Sequence, residues 1–217
     1  MQSIFTIGFL KTICFNLRHL PFREAVSMPI LIARNVSIRD CKSVRFEFRG
    51  GVKFGMVTVG FNRNCNRGTP SALHLHGRVI IRGTGAHAFG AGCNVSVGRD
   101  AVLDIGDGFG CTGDTTISVA KSLVIGENNL WSYNCVVMDN DGHKIYDSTG
   151  NRINEPREVV FGNHIWMGCG CLVLKGSRIA DNNIIAAGST IKGKIAAQNS
   201  VFTSDDRVLK EGISWKG

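Results

Sequence analysis

From Phe161 to Ile191 every sixth residue is large and apolar: Phe161, Met167, Val173, Ile179, Ile185 and Ile191. The next position is often tiny (Gly162, Gly168, Ala180, Ala186), and the position four on is small or modest (Cys171, Ser177, Asn183, Ser189). A helix face recurs at three and four and a strand face at two, so neither generates a period of six. Two-residue strands alternating with tight turns do. Each aliphatic side chain then points to a common axis, and each small residue lets the backbone bend closely. The spacing predicts a parallel β-helix built from hexapeptide repeats.

The same phase is present earlier, in Val119, Ile125, Trp131 and Val137, with Gly126 in a turn slot. From Pro29 to about Gly110 short apolar runs around Leu31, Val36, Thr58, Ile80, Val95 and Val102 alternate with turns. These read as strands of less regular coils in the same solenoid. The solenoid is expected over residues 31–203. Residues 1–30 place Ile4, Phe5, Phe9, Ile13, Phe15, Leu17 and Leu20 at mixed helical spacing, among Lys11, Arg18 and Arg23. They predict a short helical cap on the blunt end, with a basic side suited to peripheral contact with a membrane surface. The segment lacks the basic start and cleavage site of a signal peptide and is too short to span a bilayer. Residues 204–217 are expected as a charged tail.

Between Val137 and Phe161 the phase is lost. Residues 138–160 include Asp139, Asn140, Asp141, Gly142, His143, Asp147, Gly150 and Pro156. A polar excursion inserted into a solenoid and closed in register is usually functional. Chemistry is expected in this loop.

The net charge of +8 points to anionic partners such as phosphates, acidic glycans or an anionic membrane surface. No basic run is interleaved with aromatics, so nucleic acid is not an expected partner. The eight cysteines (Cys14, Cys41, Cys65, Cys93, Cys111, Cys135, Cys169, Cys171) contain no C-x-x-C pair. Cys135 and Cys171 occupy small slots of the repeat. We read the cysteines as reduced thiols of a cytoplasmic protein.

Three elements carry a resemblance: the Asp-Gly-His sequence ending at His143, the spacing of Gly162, Trp166 and Gly168, and the Ala-Ala-Gly-Ser turn ending at Ser189. With them the chain resembles the hexapeptide-repeat acyltransferases, and is most similar to O-acetyltransferases of bacterial capsular, exopolysaccharide and lipopolysaccharide synthesis. The resemblance implies an all-β, left-handed parallel β-helix, a homotrimer with active sites at the subunit clefts, acetyl-coenzyme A as co-substrate and a sugar hydroxyl as acceptor. The left hand comes from the resemblance alone, because ordinary parallel crossovers are right-handed. No metal is expected.

Moving an acetyl group from a thioester to a hydroxyl requires the hydroxyl to lose its proton as it attacks. An imidazole, with an ordinary pKa near 6.5, suits that task, and His143 matches the catalytic histidine of the resembling enzymes. Asp139 and Asp141 are the candidates for orienting its ring. Trp166, read as occupying a turn slot, matches a tryptophan lying along the pantetheine arm. Cys169 and Ala187 match positions whose backbone N–H groups serve the cofactor arm and the developing oxyanion. Lys192 matches a polar cofactor contact, and with Lys175, Arg178 and Lys194 it could hold phosphates. Asp114 or Asn134 is expected to face the acceptor.

Other readings use the same fold. An amino-sugar N-acetyltransferase of the same fold is the alternative within the class. A zinc enzyme of the carbonic-anhydrase kind needs histidines converging with His143 and His164, and a third in phase is missing. A non-catalytic scaffold would make no use of Trp166 beside His143. His74 and His76 share one face of a strand, as metal ligands can, but with no third ligand evident they read as surface residues.

Overall fold

The structure, a computed structural model, describes residues 7–61, 69–204 and 207–216. Ile4, Phe5 and Cys65 lie outside the described residues. The short apolar runs cannot bury themselves individually, so they stack. The described residues form three sheets of nine, seven and seven strands, parallel throughout except for the last pair of the first sheet. At the regular end each strand pairs with one eighteen residues on, as in Val160↔Arg178, Trp166↔Ile184 and Leu172↔Thr190. Three hexapeptides thus make one coil. Phe161, Met167, Val173, Ile179, Ile185 and Ile191 all point inward and are buried, as are Cys171, Ser177, Asn183 and Ser189 at the bends. The fold is an all-β, three-sheet parallel β-helix.

The earlier coils are wider. Their pairings, Ile30↔Val57, Val57↔His87, Ala88↔Gly110 and Gly110↔Leu130, lie 27, 30, 22 and 20 residues apart. Strands there reach five residues, so bends fall at unequal intervals and the period of six is hidden. Down the axis Phe89, Phe109, Trp131 and Phe161 stack with successive ring centroids 5.3, 5.0 and 4.8 Å apart. Glycine is required where bends nest: a Cβ on Gly126 would stand 2.3 Å from the Gly162 carbonyl oxygen.

Both ends are closed. Helix α1 (Phe9–His19) leads into α2 (Phe22–Ala25). From α1, buried Asn16 donates to the Ile30 carbonyl (2.8 Å) and accepts from its N–H (3.2 Å), while Thr12 Oγ1 accepts from the Ile32 N–H (3.1 Å). Two polar helix side chains therefore satisfy the open edge of the first strand, Ile30–Ile32, which would otherwise be free to pair with another chain. At the far end the expected tail instead folds back: Val208–Glu211 pairs antiparallel with Ser200–Phe202. Among the described residues no helix is long and apolar enough to cross a membrane.

The seven described cysteines are free, with the Cys93 and Cys111 sulfurs 3.4 Å apart. Burial pushes the Cys135 thiol up to about 11 and raises that of Cys171.

Candidate functional site

The sheets meet at three corners, and the nominated residues are distributed over all of them. At the first corner, where the chain passes from the first sheet to the second, a column of residues takes positive φ: Gly92, Asp114, Asn134, Gly170 and Gly188. Asp and Asn are the residues that tolerate this region best after glycine. Backbone bonds tie the column together, Asp114 N–H to Ala91 O (2.8 Å), Asn134 N–H to Gly113 O (3.2 Å) and Gly188 N–H to Cys169 O (2.8 Å). This corner gathers Asp114, Asn134, Cys169 and Ala187. Close approach is built in, since a Cβ on Gly168 would stand 2.6 Å from the Ala187 nitrogen. The Cys171 thiol, just beyond, points to the Ala186 carbonyl (3.1 Å). A buried thiol with a raised pKa is a poor nucleophile.

The second corner carries the loop. The chain leaves the second sheet at Met138 and rejoins the third at Val159. Register is kept, because Leu123 pairs with Val159 and Val136 with Leu172. Asp139 is buried where the loop departs. Its carboxylate accepts from the backbone N–H groups of Ala120 (2.7 Å), Lys121 (2.6 Å) and Ser122 (2.7 Å), and from the Asn140 amide (2.9 Å). Asp141 pairs with Lys175 and accepts from the Asn154 amide (2.9 Å). Neither carboxylate bonds the His143 ring, so the expected orienting contact is absent within the protomer: both groups hold the loop instead. Lys175 beside Asp141, and then Asn154, keep its carboxyl below the ordinary value near 4. A lowered folded-state pKa means the pairing is present above about pH 4 and is lost as pH falls through the lowered value.

Asn154, which the sequence reading passed over, braces the loop. Its amide donates to the His143 carbonyl (2.7 Å), and its oxygen accepts from the Ile145 N–H (2.7 Å). Between these bonds lies a small hairpin with Tyr146 bridged to Arg152 and a tip wound about Asp147. The His143 ring is exposed and makes no hydrogen bond to the described residues. Ile145, Tyr146 and Ile153 are also exposed along the hairpin. No residue type or spacing marks Asn154 in advance. Asn154→Ala removes the brace but none of the reacting groups. By misplacing His143 it should lower the turnover of a reaction that uses the ring about tenfold or more, with about 1–2 kcal/mol of stability lost. Steady-state kinetics beside a melting curve check this.

Lys192 follows the strand Thr190–Ile191 at this same corner. The four cations named together from the sequence divide. Lys175 is paired with Asp141 and Arg178 with Glu158 (2.7 Å), while Lys192 and Lys194 form no ion pair among the described residues.

The third corner holds Trp166. It lies not in a turn but on the strand Trp166–Met167, pointing outward because its neighbour Met167 takes the inward position. Beside it His164, at φ 58°, stacks on Trp215 with centroids 4.2 Å apart, and the Trp215 Nε1–H donates to the His164 carbonyl (3.1 Å). Trp215 and His164 help wall a groove of about 560 Å³. Trp215 was not nominated, because it reaches this corner only through the folding back of the tail. His164 and His143 thus sit at different corners, and they do not converge as zinc ligands within the protomer.

Fold and loop together define a hexapeptide-repeat solenoid that presents a histidine on a braced hairpin. Over 65 residues the chain is 34% identical to the polysialic acid O-acetyltransferase of Neisseria meningitidis, a stretch covering 30% of this chain and 30% of that protein. The match thus reaches about a third of the length of that curated relative. Among solved structures it is similar to the polysialic acid O-acetyltransferase OatWY (TM-score 0.48, 20% identity, 84% of this chain and 88% of that one). It is also similar to the polysialic acid-specific acetyltransferase NeuO (TM-score 0.47, 17% identity, 81% and 89%). No family model matches the chain.

Proposed function

We propose that this protein transfers an acetyl group from acetyl-coenzyme A directly to a sugar hydroxyl in the synthesis of a bacterial surface polysaccharide, with His143 as general base. The observation that carries the reading is the His143 loop: its backbone is braced by Asn154 while its ring is left open to a substrate. The ring takes the hydroxyl proton as the sugar oxygen attacks the thioester carbonyl. The C–S bond then breaks, and the proton passes to the departing coenzyme A sulfur. Backbone N–H groups near Cys169 and Ala187 serve the cofactor arm and the oxyanion. Trp166 lies along the pantetheine, Lys192 and Lys194 attract its phosphates, and Asp114 and Asn134 lie toward the acceptor. The raised thiol of Cys171 favours transfer without an acyl-cysteine intermediate.

These groups lie at three different corners of one protomer, an arrangement that favours a homotrimer in which the corner of one subunit completes the site of the next. The exposed Ile145, Tyr146 and Ile153 give such a neighbour an apolar surface to cover. The outward side of α1, with Phe9, Leu10, Ile13 and Leu17 exposed near Arg18 and Arg23, suits peripheral contact with the inner, cytoplasmic face of a membrane.

Incubation with acetyl-coenzyme A and a panel of neutral and acidic oligosaccharides, polysialic acid included, tests the proposal. The expected result is acceptor-dependent release of coenzyme A and an acetyl ester cleaved by mild base. A base-stable amide would replace the reading with N-acetylation, and no transfer to any acceptor would overturn it. Light scattering should return about three times the 23.5 kDa chain mass.

A further inference from the structure

We propose that Asp40, His74 and His76 form a site for a borderline divalent cation such as Zn²⁺, at the N-terminal end of the solenoid. His74 lies on the strand Ser71–Leu75 and His76 just beyond it, so the period of two puts both rings on one face. Their Nε2 atoms face each other at 3.0 Å. The Asp40 carboxylate stands 3.6 Å from His76 Nε2, and one ligand atom from each of the three residues lies within 4.8 Å of the others. A tetrahedral zinc with bonds of 2.0–2.1 Å sets its ligand atoms about 3.3 Å apart. The separations of 3.0 and 3.6 Å straddle that value.

The surroundings also fit. Ser43 Oγ lies 3.3 Å from His76 Nδ1. With Nδ1–H donated to that oxygen, the lone pair of Nε2 is turned toward the cluster, as outer partners of metal-bound histidines commonly arrange. Asp40 is held in place by its own backbone at φ 44° and by the preceding Arg39 N–H, bonded to the Leu73 carbonyl (2.8 Å) on the strand that carries His74. Two imidazoles and one carboxylate match the preference of zinc and its neighbours for nitrogen with some oxygen. With Asp40 and His74 exposed, an ion has an entry path, and a fourth position stays open to water.

The arrangement ties successive coils. Asp40 follows the strand Val36–Ile38 of one coil, and both histidines belong to the next. The ion would therefore close a long chain segment at the wide, irregular end, where the six-residue repeat does least to set the register. Three rungs of the second sheet, about 14 Å, separate the cluster from the strand Val136–Met138 that leads into the His143 loop. The proposal does not rest on the acetyl-transfer reading.

Tag-free protein, stripped with chelator and titrated with Zn²⁺ by calorimetry and with Co²⁺ by visible absorption, provides the test. One ion per chain is expected, with the intense absorption of tetrahedral Co²⁺ and a melting temperature raised by about 5–10 °C at saturating excess. His76→Ala should weaken binding more than about 100-fold, and Ser43→Ala about 10-fold. Stripped variants should melt with the stripped parent, because the side chains are exposed or partly exposed. Absence of binding to the parent overturns the proposal. So does unchanged stoichiometry and affinity in a His74→Ala/His76→Ala double variant.

Discussion

His143→Ala lowers the rate of acetyl transfer by about 10²–10⁴ and leaves the fold intact. The first half follows from the usual contribution of a positioned general base. The second follows from the loop geometry. Asn154 bonds the His143 backbone carbonyl, not its ring, and the ring is exposed, so truncation at Cβ leaves the brace and the Asp141–Lys175 pair in place. The loss therefore appears in kcat, with KM for acetyl-coenzyme A nearly unchanged. The Asp141–Lys175 anchor persists above about pH 4, because its carboxyl is held below the ordinary value, so a loss of rate in the parent confined to pH below that range reports release of the loop. Rates as a function of pH for both proteins, with melting curves alongside, check all of this. A parent-like rate in the variant moves the chemistry away from the loop. A matching fall in melting temperature reassigns His143 to structure.

The parts of the molecule legible in the sequence are those where a local rule repeats without interruption. In the coils after Phe161 each inward residue stands six from the next, and every one is buried as expected. Upstream the same physics is at work but the spacing is not uniform. The strand Val57–Phe61 buries all five of its residues, so no single residue there marks the axis. The His143 loop was visible because it breaks the rhythm. Its internal bonds were not: Asp139 as a cap on the turn at residues 120–122 and Asn154 as a brace depend on which groups the coil brings alongside. Trp166, expected in a turn slot, lies on the strand Trp166–Met167, whose inward position is taken by Met167, so the strand turns the indole outward. The pair His74 and His76 was visible as a pattern, but its third member, Asp40, is 34 residues from His74 and is brought alongside only by the pairing of adjacent coils.

Trp131→Ala should be the most damaging single change to the fold. Trp131 is fully buried on the axis, packed edge-on against Phe109 and tilted against Phe161. Truncation opens a cavity between two aromatic neighbours fixed on separate coils, which cannot both move in without breaking their strand pairs. The cost is about 3–5 kcal/mol, read as a fall in melting temperature on the order of 10 °C for a chain of this size. Trp131→Phe behaves differently. The indole Nε1–H is buried without a hydrogen-bond partner, so phenylalanine removes an unsatisfied donor while keeping most of the ring contact, and it should stay within about 1.5 kcal/mol of the parent. The consequence also reaches the surface. Trp131 pairs with Met167, and its neighbour Leu130 pairs with Trp166. The cavity thus loosens the strand that presents Trp166, and the alanine variant should raise KM for acetyl-coenzyme A more than the phenylalanine variant does. Equal melting temperatures for the two variants would mean that the aromatic column adds little, and that the bends alone carry the stability of the coils.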